Sequence, residues 1–319
     1  MQLPQALAAA VQEITSSFSG SDLTCAASEL TGAYRGQRRG RPQLDDLHRA
    51  AYLVTRLPAT YAVLARILHE CRQTFFQLQI DSLLDLGSGP GTALWATAAA
   101  FPELKQATLL ENSSPWIEIG KRLAASSNHA AIRGTDWKLG SVTDQLPKES
   151  FDLVTILYVL NELNTEQRLS TVEAAWQRTT KLLVIVEPGT PAGFLNIRAL
   201  RKVLIVKSAN IVAPCPHSLE CPMSGNNWCH FAERLPRGQE HRLLKNATLG
   251  YEDEKYSYVA FSREPVSLPD ARILRHPRKH SGHVELELCT VGGLKSETVS
   301  RKQGALYKRA RKAEWGDNL

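Results

Sequence analysis

Four cysteines in the last third of the chain have the chemistry of a metal site. Cys215, Cys221 and Cys229 follow one another at short intervals, and proline comes directly after the first two. Cys289 follows much further along the chain, at the end of a predicted strand. Four thiolates can complete a cubane iron–sulfur cluster or a tetrahedral zinc site. The sequence therefore predicts that these four cysteines bind a metal.

Two features of the spacing bear on which metal that is. The chain lacks the Cys-x-x-Cys pairs of a zinc ribbon, which makes zinc the less favoured alternative. It also lacks a compact Cys-x-x-x-Cys-x-x-Cys run, which disfavours a radical enzyme. His217 and His230 could replace one cysteine in either kind of site. Unligated core thiols are the other alternative, but the polar and proline-rich surroundings disfavour it.

A glycine-rich loop supplies the second candidate site. Asp85 and three glycines, at positions 87, 89 and 91, lie between a predicted strand and a predicted helix. Glycine lets the backbone turn sharply and approach a ligand closely, and such loops lie at the strand end where α/β sheets bind ligands. Glu111 ends the next predicted strand, where a carboxylate can take a ribose diol.

The predicted secondary structure that positions these residues differs from one part of the chain to the next. Residues 1–79 show helical spacing of apolar residues, with Pro58 expected to start or kink a helix. From residue 80, apolar runs alternate with helical stretches, which predicts a parallel sheet covered by helices on both faces. The predicted strands are Ser82–Leu86, Ala107–Leu110, Phe151–Tyr158 and Lys181–Val186.

Beyond about residue 210 the alternation fades and short strands are predicted, among them Tyr256–Ser262 and Glu297–Val299. We therefore expect three regions. These are a helical region over 1–79, an α/β domain over 80–210, and a cysteine-rich, basic, β-containing extension over 211–319.

Charge is concentrated in that extension. The chain has a net charge of +6, yet Arg263–Lys312 alone holds 12 Lys and Arg against 5 Asp and Glu. A localised basic segment is the electrostatic footprint of a phosphate backbone. Tyr307 and Trp315 are candidates for stacking on bases. The predicted RNA-binding residues are Arg35, Arg38, Arg39 and Arg41 in one run, and Arg301, Lys302, Lys308, Arg309, Arg311 and Lys312 in another.

The composition and the amino-terminal residues argue against several classes of protein. At 43% hydrophobic and 22% charged residues the chain can bury a core, which argues against disorder. Its apolar runs are far shorter than the roughly 20 residues of a membrane helix. No Lys or Arg precedes Arg35, so neither a secretory signal nor a transit peptide is predicted. We expect a cytoplasmic protein without a membrane partner.

The glycine loop and its surroundings resemble the first motif of class I S-adenosylmethionine-dependent methyltransferases. The resemblance implies that Asp85, Gly87, Gly89 and Gly91 cradle the methionine part of the donor and that Glu111 binds its ribose. Asn161 and Glu162 would then face the reactive end. Either Ser141 or Asp144 matches the acidic residue near the adenine. The chain lacks an Asn-Pro-Pro-Tyr-type tetrapeptide, so methyl transfer is not implied by the motif.

A more specific resemblance covers about residue 30 to the end. The chain resembles the methyltransferase-like family of small-ribosomal-subunit assembly proteins, known from mitochondria and with bacterial relatives. The residues that carry it are Val186–Phe194, Ala213–His217, Cys221–Pro222, Trp228–Phe231, Tyr251–Tyr258, Ser281–Val284 with Cys289, and Trp315–Asp317.

This resemblance implies a [4Fe-4S] cluster on Cys215, Cys221, Cys229 and Cys289, and contact with small-subunit rRNA in the assembling small ribosomal subunit. The lack of a transit peptide indicates a bacterial relative. Two functions stay open. One is an active rRNA methyltransferase that uses S-adenosylmethionine. The other is a non-catalytic, RNA-binding assembly factor, with structural zinc as the alternative to the cluster.

Overall fold

The computed structural model describes residues 2–34, 44–236 and 251–319. The predicted RNA-binding residues Arg35, Arg38, Arg39 and Arg41 lie outside them. The chain divides into two compact units. The first comprises Met1–Arg66, Gly87–Ser141 and Glu233–Glu254, and the second comprises Ile67–Leu86, Val142–Ala232 and Lys255–Leu319.

The amino-terminal region is helical, as its apolar spacing predicts. It contains α1 (Gln5–Thr15), α2 (Gly20–Tyr34) and α3 (Asp46–Thr74). A single helix passes through Pro58, where the sequence predicts a start or a kink. Leu53, Leu57 and Leu64 are fully buried along α3. The burial of this apolar face outweighs the hydrogen bond that proline removes.

In the first unit, β2 (Gln106–Glu111) and β3 (Asp136–Leu139) pair in parallel. Three helices belong to the same unit, namely α4 (Thr92–Ala100), α5 (Ser114–Ala125) and α6 (Ala130–Arg133). Glu111, the last residue of β2, lies opposite Leu139 in this pairing. The candidate ribose-binding carboxylate is thus at the carboxyl end of a parallel strand, where α/β sheets bind ligands.

In the second unit, five strands run in the order β1 (Ser82–Leu86), β4 (Phe151–Leu157), β5 (Thr179–Pro188), β8 (Tyr251–Ser262) and β6 (Asn210–Ala213). The first three are parallel, and β8 is antiparallel to both β5 and β6. The helices of this unit include α7 (Thr165–Arg178) and α8 (Pro191–Val206). This mixed sheet, with its antiparallel strand inserted after β5, gives a class I methyltransferase-like α/β fold.

The position of β8 corrects one expectation. The sequence places Tyr256–Ser262 in an appended region, whereas the structure pairs it with β5, Ala260 lying opposite Val184. Val259, Ala260 and Phe261 are fully buried in succession. A strand buried on both faces belongs inside a sheet, and only the tertiary structure shows which sheet that is.

A smaller antiparallel sheet follows. It contains β9 (Ala271–Ile273), β10 (Arg278–Lys279), β11 (His283–Thr290) and β12 (Gly293–Ser300), in the order β10-β11-β12 with β9 on β11. Buried Val284, Leu286 and Leu288 alternate with more exposed residues, as expected for one covered face. Helix α9 (Ala305–Lys312) packs on it through Ala310. The strand β7 spans Phe231–Pro236.

Among the helices described here, none has the length and apolar content to cross a bilayer.

Candidate functional site

The four predicted metal ligands come together. Cys215, Cys221 and Cys229 lie in the segment between β6 and β7, and Cys289 lies on β11, yet all four line one cavity of the second unit. Its empty volume is about 580 Å³, counting the part that is open to solvent. Four soft thiol donors from two distant parts of the chain therefore face one space, as a metal centre requires.

The four sulfur atoms are spread apart. All four cysteines belong to described segments, and no three of their sulfurs lie within 4.8 Å of one another. A tetrahedral zinc ion with Zn–S bonds near 2.3 Å holds its sulfurs only about 3.8 Å apart. The four sulfurs are therefore not all as close together as the ligands of a single tetrahedral ion.

Helix α8 holds the cysteine segment from one side. Arg201 donates to the carbonyl oxygen of His217 at 2.8 Å, and Arg198 donates to that of Met223 at 2.9 Å. Trp228 Nε1 donates to the carbonyl oxygen of Gly189 at 3.0 Å, which ties the segment to the residues just before α8. These bonds pair backbone groups that have no regular secondary structure to satisfy them.

Arg272, on β9, fixes the start of the same segment. Its Nε donates to the carbonyl oxygen of Pro214 at 2.7 Å, and its guanidinium forms a buried ion pair with Glu70. The second Glu70 oxygen accepts a hydrogen bond from the Tyr258 hydroxyl at 2.7 Å. Because Arg272 is only 2% exposed, these partners together offset the cost of burying its charge.

Burial favours the neutral form of three of the thiols, those of Cys215, Cys229 and Cys289. It raises the pKa of Cys289 to about 12 and the pKa of Cys229 well above its ordinary value, and neighbouring thiols add to both shifts. Burial also raises the pKa of Cys215, against the opposing effect of Arg201 and Arg272. A metal that binds here must therefore displace protons.

Of the two alternative histidines, only His217 lies with the thiols. Its Nε2 is 3.7 Å from Cys289 Sγ, and it lines the same cavity. His230 instead stacks on Trp228, with ring centroids 4.9 Å apart, and meets the edge of Trp315. Burial lowers the pKa of His230 to about 4, as expected for a neutral ring packed among aromatic groups.

The glycine loop of the first unit has the backbone that its sequence predicts. Gly87, Gly89 and Gly91 have φ angles of 72°, 52° and 82°, in the left-handed region that favours glycine. A Cβ on Gly91 would lie 2.9 Å from the Trp137 ring, whereas one on Gly89 would meet nothing within 4 Å. The space beside Gly89 is therefore open to a ligand.

Glu111 joins this loop to the start of α5. Its Oε2 accepts from the Gly89 amide at 2.8 Å and its Oε1 accepts from the Ser113 amide at 3.0 Å. These two bonds hold the carboxylate of Glu111 beside the glycine loop. The buried hydroxyls of Ser88 and Thr92 have no hydrogen-bond partner among the described parts of the chain. Buried polar atoms usually have one, so this loop fits a polar ligand such as the donor.

The other predicted donor residues are placed as follows. Asp85, in the second unit, is buried and accepts from Thr155 Oγ1 at 2.7 Å. Asn161 and Glu162 are exposed in a 3₁₀ turn, Leu160–Glu162, after β4. Ser141 and Asp144 follow β3, where both stay candidates for the adenine contact.

The six described basic residues of the predicted RNA surface are all exposed, from Arg301 to Lys312. Two of them also support the β10–β11 turn. Arg301 donates to the carbonyl oxygen of Ser281 at 2.6 Å, and Arg311 donates to that of His280 at 3.1 Å. The predicted stacking residues are engaged internally, because Tyr307 packs on the core of the smaller sheet and Trp315 contacts His230.

Some buried charged residues near these sites are absent from the sequence-based predictions. Arg201 and Arg272 line the cysteine cavity. Glu187, near the end of β5, is fully buried and accepts from Asn196 Nδ2 at 3.1 Å. Burial raises its pKa to about 7. One signal in the sequence could have found Glu187, which directly follows the apolar run that ends at Val186. A charged residue beside an apolar run is costly to bury, so its burial indicates a role.

Comparison with known proteins places the chain in a family. The family described as mitochondrial small ribosomal subunit Rsm22 matches residues 46–319. The human mitochondrial ribosome assembly protein METTL17 is 28% identical over 289 residues, covering 84% of this chain and 61% of that protein. The Rsm22-cox11 tandem protein 2 of Schizosaccharomyces pombe, also mitochondrial, is 28% identical over 322 residues, covering 84% and 42%.

Among solved structures, the chain is similar to magnesium protoporphyrin IX methyltransferase from Synechocystis PCC 6803 with bound SAM. The identity is 13%, the TM-score is 0.43, and the match covers 76% of this chain and 97% of that one. The chain spans about 61% and 42% of the length of the two curated relatives above. The family match takes in β1–β12 and all four clustered cysteines, and the chain belongs to the Rsm22 family.

Proposed function

We propose that this protein is an assembly factor of the small ribosomal subunit that binds rRNA and carries a [4Fe-4S] cluster. The observation that carries the proposal is the convergence of Cys215, Cys221, Cys229 and Cys289 on one cavity beside two buried arginines. The name of the human relative as a ribosome assembly protein supports the assembly role. The exposed basic residues at positions 301–312 support the RNA contact.

The spread of the sulfurs favours a cluster over zinc. A cubane binds each thiolate through a different iron, so its ligands stand further apart than the ligands of one ion. A cluster held by four thiolates is also anionic, and Arg201 and Arg272 supply positive charge within the cavity wall. When bound, the cluster would supply a redox-active cross-link between the 214–231 segment and β11. Zinc is the alternative occupant.

The experiment that tests the cluster is anaerobic purification with iron, sulfide and zinc analysis and visible spectroscopy. We expect about four irons and four sulfides per chain and a loss of both in Cys229→Ser. Cys25→Ser is the matched control, because Cys25 is exposed on α2 and distant in sequence. One zinc per chain without visible colour would show that zinc, and not the cluster, occupies the site. A folded protein with neither metal would refute the metal site.

The cluster and RNA binding are linked in this proposal. The segment that carries three ligands also contacts the residues that follow β9, since Arg275 Nη2 donates to Asn227 Oδ1 at 2.5 Å. Loss of the cluster should loosen this segment and the sheet that carries the basic residues. We expect Cys221→Ser, once shown to lack the cluster, to bind small-subunit rRNA more weakly. If this variant binds the rRNA as tightly as wild type does, RNA binding does not depend on the cluster.

We further propose that the protein binds S-adenosylmethionine through the loop of Gly87, Gly89 and Gly91 together with Glu111. The unpartnered hydroxyls of Ser88 and Thr92, which find no acceptor or donor within the described ranges, support a polar ligand at this loop. Asp85 would fix the strand end from which the loop begins, through its bond to Thr155. The donor would supply a methyl group, while these residues orient its carboxylate and ribose.

The two candidate functions differ in whether that methyl group is transferred to rRNA. The scaffold is the better supported one, because Asn161 and Glu162 lie on an exposed turn without an acceptor-binding tetrapeptide. The second candidate, an active rRNA methyltransferase, is favoured by the intact donor loop, since methyl transfer can depend largely on positioning. Incubation of small-subunit precursor particles with methyl-labelled donor decides between them. Label in the rRNA that is absent with Glu111→Gln would establish the enzyme.

A further inference from the structure

The turn between β10 and β11 brings three possible metal ligands together, away from the cysteines. The His280 amide donates to the carbonyl oxygen of His283 at 2.9 Å, which closes the turn over Ser281 and Gly282. Strand alternation then places Glu285 on the same face of β11 as His283. His280 follows directly after the Lys279–Val284 pair of the two strands. Local backbone geometry alone therefore gathers two imidazoles and one carboxylate.

The donor atoms converge on one point. His280 Nε2 is 3.8 Å and His283 Nε2 is 3.7 Å from the same oxygen, Oε1 of Glu285. The two rings stack with centroids 4.5 Å apart and planes 15° apart. Both distances exceed a hydrogen bond. Donors that share a tetrahedral ion at about 2.1 Å stand about 3.4 Å apart, which is close to the observed spacing.

Neighbouring arginines hold the three ligands in place. Arg278 Nε lies 2.9 Å from Glu285 Oε2, so that oxygen is occupied while Oε1 faces the imidazoles. Arg301 and Arg311 donate to the turn carbonyls of Ser281 and His280. A partner such as Arg278, which orients a carboxylate through its second oxygen, is typical of metal sites, whereas Arg301 and Arg311 hold the backbone of the turn.

We propose that His280, His283 and Glu285 bind one divalent transition-metal ion, with zinc the best match to two imidazoles and a carboxylate. This site is separate from the four-cysteine centre and goes beyond the assembly function. Three protein ligands leave one coordination position for water or another oxygen ligand. The cationic side chains of Arg278 and Arg301 oppose a further positive charge. We therefore expect a readily exchangeable ion.

The test uses the intact, cluster-loaded protein in equilibrium dialysis against micromolar free zinc. We expect one zinc per chain beyond any in the cysteine centre, with at least tenfold weaker binding in His280→Gln. His69→Gln is the matched control, because His69 is an exposed histidine on α3 whose ring shares one hydrogen bond with Gln73. Unchanged circular dichroism would verify that both variants fold.

Cobalt gives a second readout that identifies the ligands. Cobalt bound to thiolate has an intense near-ultraviolet charge-transfer band, whereas cobalt on imidazole and carboxylate has only weak visible bands. We expect the extra cobalt to show the weak bands and to lose them in His280→Gln. The proposal is overturned if wild type takes up no extra zinc, or if His280→Gln keeps it. Neither result bears on the iron content of the cysteine centre, so the two proposals fail independently.

Discussion

Arg272 Nε donates to the carbonyl oxygen of Pro214 at 2.7 Å, one residue before Cys215, the first of the proposed ligands. The same guanidinium pairs with Glu70 and donates to the carbonyl oxygen of Gly316 at 2.5 Å. One buried side chain thus joins the end of α3, the cysteine segment and the residues that follow α9. Its position explains how a segment without regular secondary structure keeps the proposed ligand cysteines in place.

Replacement of Arg272 should lower the free energy of unfolding. Arg272→Met leaves the Glu70 carboxylate buried without its counter-ion, which should lower the free energy of unfolding by about 3–5 kcal/mol. Urea denaturation followed by circular dichroism measures this. Arg234→Met is the control, since Arg234 makes two bonds to Asp253 but is largely exposed, and it should change stability by about 1 kcal/mol or less. Equal losses in the two variants would contradict the role of Arg272.

Arg201 should stabilise the bound cluster. Its guanidinium adjoins Cys215 and the His217 carbonyl oxygen, so Arg201→Gln removes positive charge beside an anionic group. We expect iron affinity to fall about 10- to 100-fold, as for other outer-shell partners. The rate at which visible absorbance bleaches in a chelator reports this. Arg133→Gln, which loses a bond to the carbonyl oxygen of Ser127 in the first unit, should bleach close to the wild-type rate.

Glu187 should make stability depend on pH. Burial raises its pKa from 4.5 to about 7, so the folded state binds this proton more tightly than the unfolded state. The resulting stability is complete below about pH 4.5 and is lost as the pH rises through about 7. Glu187→Gln stays neutral and should be more stable than wild type at pH 8, by about 3 kcal/mol at most. The difference should vanish at acidic pH, and a difference that is the same at both pH values would argue against this account.

The donor loop gives a binding prediction. Glu111→Gln removes the negative charge offered to the ribose hydroxyls, and hydrogen bonds to charged groups contribute about 1.5–3 kcal/mol. We expect S-adenosylmethionine affinity to fall by one to two orders of magnitude in calorimetric titrations. Asp136→Asn changes an exposed carboxylate on β3 of the same unit and should bind as wild type does. If Glu111→Gln binds S-adenosylmethionine as tightly as wild type does, Glu111 is not part of the donor site.

The basic residues of α9 should set the salt dependence of RNA binding. Lys308→Ala should weaken binding to small-subunit rRNA and reduce the slope of log K against log salt by about 1. Fluorescence anisotropy at several salt concentrations measures the slope. Lys148→Ala, on an exposed loop, is the control and should leave the slope unchanged. Arg301→Ala and Arg311→Ala should also loosen the β10–β11 turn, which their bonds support.

Local patterns in the sequence predicted local structure well. Ser82–Leu86 is a strand with the predicted bounds, because a short apolar run before a glycine loop has few other conformations. β12 begins at Gly293, ahead of the predicted start at Glu297, since its first half is exposed and polar. The place of β8 beside β5, and the convergence of Arg272 and Glu70, depend on residues far apart in the sequence. Short-range periodicity carries no information on such pairings.

The position of Cys289 on β11 has a consequence for how the protein is made. Three of the four ligand cysteines are synthesised once Cys229 has been added, but the fourth follows only after β8, β9 and β10. A nascent chain therefore presents an incomplete ligand set until translation has passed β11. We therefore expect the proposed cluster to gain its fourth protein ligand only after that point.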